Sequence, residues 1–272
     1  MDLRKYANAQ SIGEEDIISL PWYQPYIFSD DIVSGVAPQF FMKNVDTTII
    51  NRRSHPKIFK RFLNLNTRMG LMYQDWAKSV CELTDLNIKK SDIFEIACNT
   101  GYLLFWFKEQ GAQNCVGIDK QQLDTQRNIL RKITGIEGVD FREGRWDSET
   151  HLLKGLDVKE QFDVVICTAF AQHISDPLHL IRELGNRTKK VLLFHNSVGY
   201  LNQGMSIRYR PVEHHQRWGD VFPNNLDTRI SRKLLYWSLK ECGFKEIIQL
   251  KYSRSWLPRL WYNQFATLVC IK

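Results

Sequence analysis

The sequence has no long apolar run. Its longest, Val164–Ala171, falls far short of the roughly 20 residues a membrane-spanning helix needs, so no membrane partner is expected. The first residues, MDLRKYANAQSIGEED, hold no apolar stretch of the signal-peptide kind, and no leader is expected. Cys-x-x-Cys is absent. The six cysteines (Cys81, Cys98, Cys115, Cys167, Cys242, Cys270) stand far apart, mostly in apolar segments. That pattern suits buried reduced thiols in a cytoplasmic protein and excludes a disulfide framework. No group of side chains has metal-ligand spacing, and the trio Glu213, His214 and His215 fits no such pattern, so no metal is expected. Repeats and low-complexity tracts are also missing. Acidic residues are in deficit, leaving a net charge of +7. The excess is scattered, with Arg52-Arg53, Lys57-Lys60-Arg61 and Arg208-Arg210 the densest groups. No basic stripe marks a nucleic-acid surface, so a solvated surface is the first reading.

What remains is an ordinary globular composition, 43% hydrophobic and 25% charged over 272 residues. It supports one large domain, or one domain with a lid. Residues 1–20 are polar and helical in part. Residues 21–41 are aromatic-rich but broken by Pro21, Pro25, Gly35 and Pro38, which makes them loop with one short strand at most. Aromatic residues there, Trp22, Tyr23 and Tyr26 in particular, serve either as packing or as a lid over a substrate. Helical spacing covers residues 55–86, expected as two pieces. From Ile93 onward strands and helices alternate. Strands are expected at 93–96, 116–118, 139–143, 162–167 and 190–195, with helices at 102–110, 121–133 and 177–184. Residues 148–160 read as a polar helix-loop segment. This order implies a doubly wound, mostly parallel sheet. Residues 197–230 interrupt the rhythm, with few strand or helix signals, and a long insertion of that kind is usually functional. A helix over 231–242 and two antiparallel strands near 245–252 and 265–271 complete a seven-stranded α/β sheet with one antiparallel C-terminal strand. The expected division is an N-terminal lid with helices over 1–86 and a core domain over 87–272.

The chain is organised around Ser91–Lys120, which reads strand, tight loop, helix, strand. Small residues after a first strand let backbone approach a ligand closely, and Asp119 follows at the tip of the second strand, placed to accept hydrogen bonds from ribose hydroxyls. The dinucleotide fingerprint G-x-G-x-x-G is absent, since Ala97 and Asn99 stand where early glycines would be. The Gly-Lys-Ser/Thr ending of a phosphate-cradling loop is absent too. A nucleoside ligand fits such a loop better than a pyrophosphate.

EIACNTGYL (95–103) followed by VGID (116–119) resembles motif I and the ribose-binding acid of class I S-adenosylmethionine-dependent methyltransferases. Ala97 and Asn99 depart from that family's acid-x-Gly-x-Gly-x-Gly pattern, and Gly101 keeps it. The resemblance implies that Glu95 orients the loop and the methionine amino group. It places Ala97, Cys98, Asn99 and Gly101 along the methionine moiety, Asp119 on the ribose and Lys120 beside the adenine. Trp146 and Asp147 match positions that flank adenine, and Thr168 and Ala169 match the floor near the sulfonium. A narrower resemblance runs through WYQPYIFSDDIVSGVAP (22–38) and FDVVICTAFAQHISDPLHLIREL (162–184). It is to the subgroup that includes tRNA wobble-uridine methyltransferase-like and carboxymethyltransferase-like proteins together with many small-molecule and sugar-modifying enzymes.

Methyl transfer asks the protein mainly to align an acceptor and exclude water, with a base only where the acceptor must lose a proton. His173, after the fourth strand, is the leading base. Its competing role is to cap the Asp176-Pro177 turn. Trp22, Tyr23, Tyr26, Arg208, His214, His215 and Trp218 are the expected acceptor contacts. The expected activity is methyl transfer from S-adenosylmethionine to a small-molecule acceptor. A tRNA acceptor is the second reading. A binding-only scaffold, motivated by the altered glycines, is the third.

Overall fold

The computed structural model describes residues 1–34, 49–199, 204–211, 226–251 and 264–272. His214, His215 and Trp218, together with 35–48 of the expected lid, lie outside the described residues.

Seven strands form one sheet: β1 (Asp92–Ile96), β2 (Asn114–Asp119), β3 (Val139–Glu143), β4 (Phe162–Thr168), β5 (Thr188–Ser197), β6 (Glu246–Gln249) and β7 (Phe265–Ile271). Their order is β3-β2-β1-β4-β5-β7-β6. Neighbours from β3 to β5 run parallel, while β7 lies antiparallel to both β5 and β6. The central parallel strands β1, β2, β4 and β5 are mostly apolar because they are covered on both faces, while the edge strands β3 and β6 are partly exposed. β4 is buried along its length until Thr168. Among the described residues, five helices of eight residues or more accompany the sheet: α1 (Pro56–Thr84), α2 (Tyr102–Glu109), α3 (Asp124–Thr134), α4 (Pro177–Arg187) and α5 (Arg232–Glu241), with a short helix at Glu14–Ile18 before them.

One buried cluster joins α1, α2 and α3 to one face of the sheet, and it includes Met1, Leu3, Trp22 and Tyr26 from the N-terminal segment. A second cluster, with α4 and α5, covers the other face. The residues before position 86 therefore share a core with the sheet. α1 is one 29-residue helix and not the two expected pieces. Gly70 does not break it, because its missing side chain makes room for the Tyr102 hydroxyl, which donates to the Gly70 carbonyl at 3.1 Å.

Two segments differ from the sequence reading. Within residues 148–160 there is no helix. Arg145–Asp147 instead pairs with Leu152–Lys154 as a small hairpin. The 197–230 insertion carries a strand pair, Ile207–Pro211 against Leu226–Ile230. Both strands are short and polar, and each is stabilised by a partner rather than by its own pattern.

Candidate active site

The reversal of strand order falls between β1 and β4, and ligands of open α/β sheets sit outside the carboxyl ends of the strands at such a point. Side chains alternate along a strand. Ile93, Cys115, Val164, Ile166, Val191 and Leu193 belong to the α1–α2 cluster. Glu95, Asp119, Thr168 and His195 therefore share that face, each near the carboxyl end of its strand.

The loop after β1 is built by an alternating backbone. Ala97 (φ 51°), Asn99 (φ 54°) and Gly101 (φ 84°) are all left-handed. Asn tolerates this conformation, Ala does so at a cost of about 1–2 kcal/mol, and Gly at none. Ala97 and Asn99 thus keep a glycine-type backbone path without the glycines. Gly101 cannot be replaced in the same way, because a Cβ there would lie 2.6 Å from the Phe141 ring.

Several groups hold the loop. The Asn99 N–H donates to Asp119 Oδ2 at 2.8 Å, and the Gln121 N–H donates to Asp119 Oδ1 at 2.9 Å. Arg127, which is buried, donates to the Asn99 carbonyl through Nε and Nη2 at 3.2 and 2.8 Å and lies over the Phe141 ring. From the N-terminal segment, Gln24 Oε1 accepts from the Thr100 hydroxyl (2.7 Å) and the Tyr102 N–H (3.1 Å), while its Nε2 donates to the Cys98 carbonyl (3.3 Å). The Tyr26 hydroxyl is 2.8 Å from that of Thr100. Gln24, Thr100 and Arg127 were not expected from the sequence. Gln24 stands out only as a polar residue among aromatic ones, Thr100 and Arg127 have polar neighbours and carry no such signal, and only the fold says what all three meet.

Glu95 is the least ordinary group. It is 1% exposed, and neither carboxylate oxygen has a hydrogen-bond partner. Burial first, and the Asp119 charge second, push its carboxyl well above the usual range. A buried, unpartnered acid is costly unless something cationic meets it. Beside a loop of small residues, it fits the ammonium of a bound amino acid moiety, and Asp119 Oδ1 and Oδ2 each keep a lone pair for a hydroxyl. The residues present therefore fit S-adenosylmethionine.

His195 was also not anticipated. Its ring lies against Trp76 (centroids 4.5 Å) and Phe265 (5.4 Å), with Nδ1 2.7 Å from the Thr267 hydroxyl. Burial pulls its pKa from 6.5 to about 3. Between those values the unfolded chain binds the proton and the folded chain does not. Stability therefore rises with pH through this window and is lost as pH falls below 6.5, by up to about 1.4 kcal/mol per unit. We expect His195→Phe to flatten the pH dependence of urea midpoints between pH 4 and 6.5 while costing about 1 kcal/mol at neutral pH through the orphaned Thr267 hydroxyl. An unaltered slope would place the acid sensitivity elsewhere.

The remaining expected residues fall in several places. Cys98 is buried beneath the loop and would contact any Cβ added at Gly117, and burial raises its pKa well above the ordinary thiol value. Lys120 is half-buried at the tip of β2. Thr168 and the exposed, left-handed Ala169 (φ 54°) end β4, with the Ala169 N–H donating to the His195 carbonyl at 2.7 Å. His173 ends a 3-10 turn, half-buried, with Nε2 3.2 Å from Gln172 Nε2. The Asp176 carboxylate accepts from Trp146 Nε1 (3.0 Å) and meets His151 Nδ1 (2.8 Å). Trp146 is buried in the cluster on the opposite face. Asp147 closes its own hairpin through Lys154, Thr150 and the Glu149 N–H, and these bonds hold its pKa below the usual carboxylate range. Trp22 is wholly buried, with its indole N–H donating to the Ile17 carbonyl, so it packs rather than lines an opening. Tyr26 is equally buried, and Tyr23 is half-buried. Arg208 is exposed on its ribbon, opposite Arg229.

All six cysteines are free thiols, and among the described residues no helix is long and apolar enough to cross a membrane.

Residues 70–250, well over half of the chain, match the family model described as a methyltransferase domain. Among curated proteins, the tRNA U34 carboxymethyltransferase of Sulfurimonas denitrificans is 24% identical over 157 residues, 53% of this chain and 46% of that one. Its counterpart in Nautilia profundicola is 22% identical over 109 residues, 36% of this chain and 31% of that one. The chain thus matches less than half the length of these relatives. Among solved structures, the N-terminal domain of EvdMO1 with SAH bound superposes with a TM-score of 0.54 at 17% identity, over 73% of this chain and 79% of that chain. The magnesium protoporphyrin IX methyltransferase of Synechocystis PCC 6803 with bound SAH gives 0.52 at 13%, over 81% and 92%. The strand order, the loop after β1 and the family match agree, and the chain belongs to the class I S-adenosylmethionine-dependent methyltransferases.

Proposed function

We propose that the chain transfers a methyl group from S-adenosylmethionine to a small-molecule acceptor with an oxygen, nitrogen or sulfur nucleophile. S-adenosylmethionine supplies an electrophilic methyl carbon on a sulfonium, so the chain's own task is to bind, align and exclude water. Glu95 takes the amino group and Asp119 the ribose, while the loop 97–101 approaches closely. The N-terminal segment reaches over that loop through Gln24 and Tyr26. At the carboxyl ends of β4 and β5, Trp76 and His195 are buried and packed with the half-buried Phe265. The N-terminal segment held over the loop by Gln24 and Tyr26 is the observation that supports a small acceptor, since a polynucleotide backbone calls for an open basic surface. His173, half-buried after β4, removes the acceptor proton where one must leave.

A tRNA acceptor is the second reading, and the curated relatives favour it. Binding to bulk tRNA at low salt, falling steeply as salt rises, would support it and count against the small acceptor. For the first reading, His173→Ala is expected to lower turnover by about 10²-fold or more with cofactor affinity unchanged. A retained rate would make His173 a structural residue.

A further inference from the structure

On the face of the sheet away from the loop after β1, three side chains come together from separate segments. His151 ends the turn of the Arg145–Lys154 hairpin, Asp176 immediately precedes α4, and His179 lies in the first turn of α4. One ligand atom from each lies within 4.8 Å of the other two. His151 Nδ1 is 2.8 Å and His179 Nδ1 3.9 Å from the same oxygen, Asp176 Oδ2. The two imidazoles stack with centroids 3.9 Å apart at 12°.

Two features set this trio apart from an ordinary surface cluster. Asp176 occupies the N-cap of α4, where a carboxylate ordinarily accepts a helix N–H, yet its side chain makes no capping bond. Its Oδ1 instead accepts from Trp146 Nε1 at 3.0 Å, which turns Oδ2 toward both imidazoles. A carboxylate oriented by a second hydrogen bond is how ligating side chains are commonly held. In addition, His151 sits at φ 55°, a left-handed turn position that Gly or Asn fills with less strain.

We propose that His151, Asp176 and His179 bind a divalent transition-metal cation, zinc foremost. Two imidazole nitrogens and one carboxylate oxygen are borderline ligands suited to zinc, and the half-exposed setting leaves a fourth position for water. Tetrahedral ligand atoms at bonds of about 2.0–2.1 Å stand about 3.3 Å apart. The trio reaches that geometry when the stacked rings tilt out of parallel, so that each in-plane nitrogen lone pair meets the cation, and close in from at most 4.8 Å, changes within the broad terminal torsions of half-exposed imidazoles. The positive end of α4 opposes a cation, but its partial charge is smaller than the full charge of Asp176 beside it. A bound cation fastens the hairpin after β3 to the helix after β4. This site does not depend on the identity of the methyl acceptor.

The test uses the full chain free of any histidine tag, with Zn²⁺ followed by calorimetry and Co²⁺ by its visible absorption. One Zn²⁺ per chain is expected, raising the thermal midpoint by mass action. His179→Ala and His151→Asn, the latter suited to the left-handed turn, are each expected to weaken binding by about tenfold or more and to abolish the tetrahedral Co²⁺ bands. Their midpoints without metal serve as the check on folding. Failure of the parent protein to bind Zn²⁺, or equal affinity in the parent and both folded variants, would overturn the site and leave a hydrogen-bonded His-Asp-His contact.

Discussion

Asp119→Ala is expected to weaken S-adenosylmethionine binding by about 100-fold, near 2.7 kcal/mol. Asp119 sits at the carboxyl end of β2, where it accepts from the Asn99 N–H with one oxygen and the Gln121 N–H with the other. Hydrogen bonds to a charged group contribute about 1.5–3 kcal/mol each. Their removal frees the very loop whose left-handed residues, Ala97 and Asn99, have least reason to keep their conformation unaided. The ribose contact is lost as well. Two effects therefore add, one on the ligand and one on the loop. Asp119→Asn separates them, because its carbonyl oxygen keeps one acceptor and restores part of the loop while lacking the charge. Calorimetric titration with S-adenosylhomocysteine measures both variants, and an unchanged affinity in Asp119→Ala would remove this residue from the cofactor site.

Glu95→Gln is expected to act in opposite directions on stability and on binding. A carboxyl whose folded pKa is raised holds more protons folded than unfolded. Stability is then full below the unfolded value of 4.5 and falls as pH rises toward the folded pKa. At pH 7 the cost cannot exceed about 3 kcal/mol, because the native protein can answer by protonating the group. Gln keeps the shape without the charge, so the ligand-free variant should be more stable by about 1–3 kcal/mol at pH 7, with little gain near pH 4. Cofactor binding should fall by tenfold or more, since an ammonium needs the ionised acid. Affinity of the parent protein should also decline as pH is lowered, while that of the variant stays flat. A variant that is no more stable at neutral pH, or one that binds as well as the parent, would remove Glu95 from this role.

The parts legible in the sequence are those whose cause is local. β4 shows as a continuous apolar run because both its faces are covered. The loop after β1 shows as small residues closed by Gly101, and Asp119 as an acid at a strand tip. The hairpin at 145–154 and the ribbon of Ile207–Pro211 with Leu226–Ile230 were not legible. The hairpin's strands, of three residues each, are too short to carry a period, and the ribbon's strands, Ile-Arg-Tyr-Arg-Pro and Leu-Asp-Thr-Arg-Ile, mix charged and turn residues with few apolar ones. Trp22 and Tyr26 show the limit in another form. Aromatic residues in a broken segment read equally as lid or as packing. Only burial and the bonds to Ile17 and Thr100 separate the two.

The sequence alone thus determined the alternation of elements, the doubly wound sheet and the family, because these follow from apolar period and from one local motif. Tertiary structure decided which groups face one another. It left Glu95 without a partner, placed His195 between Trp76 and Phe265, and turned Asp176 from its own helix toward Trp146 and His151. Such contacts join residues tens of positions apart, and burial then sets their charge. Neither property is written in the neighbours along the chain.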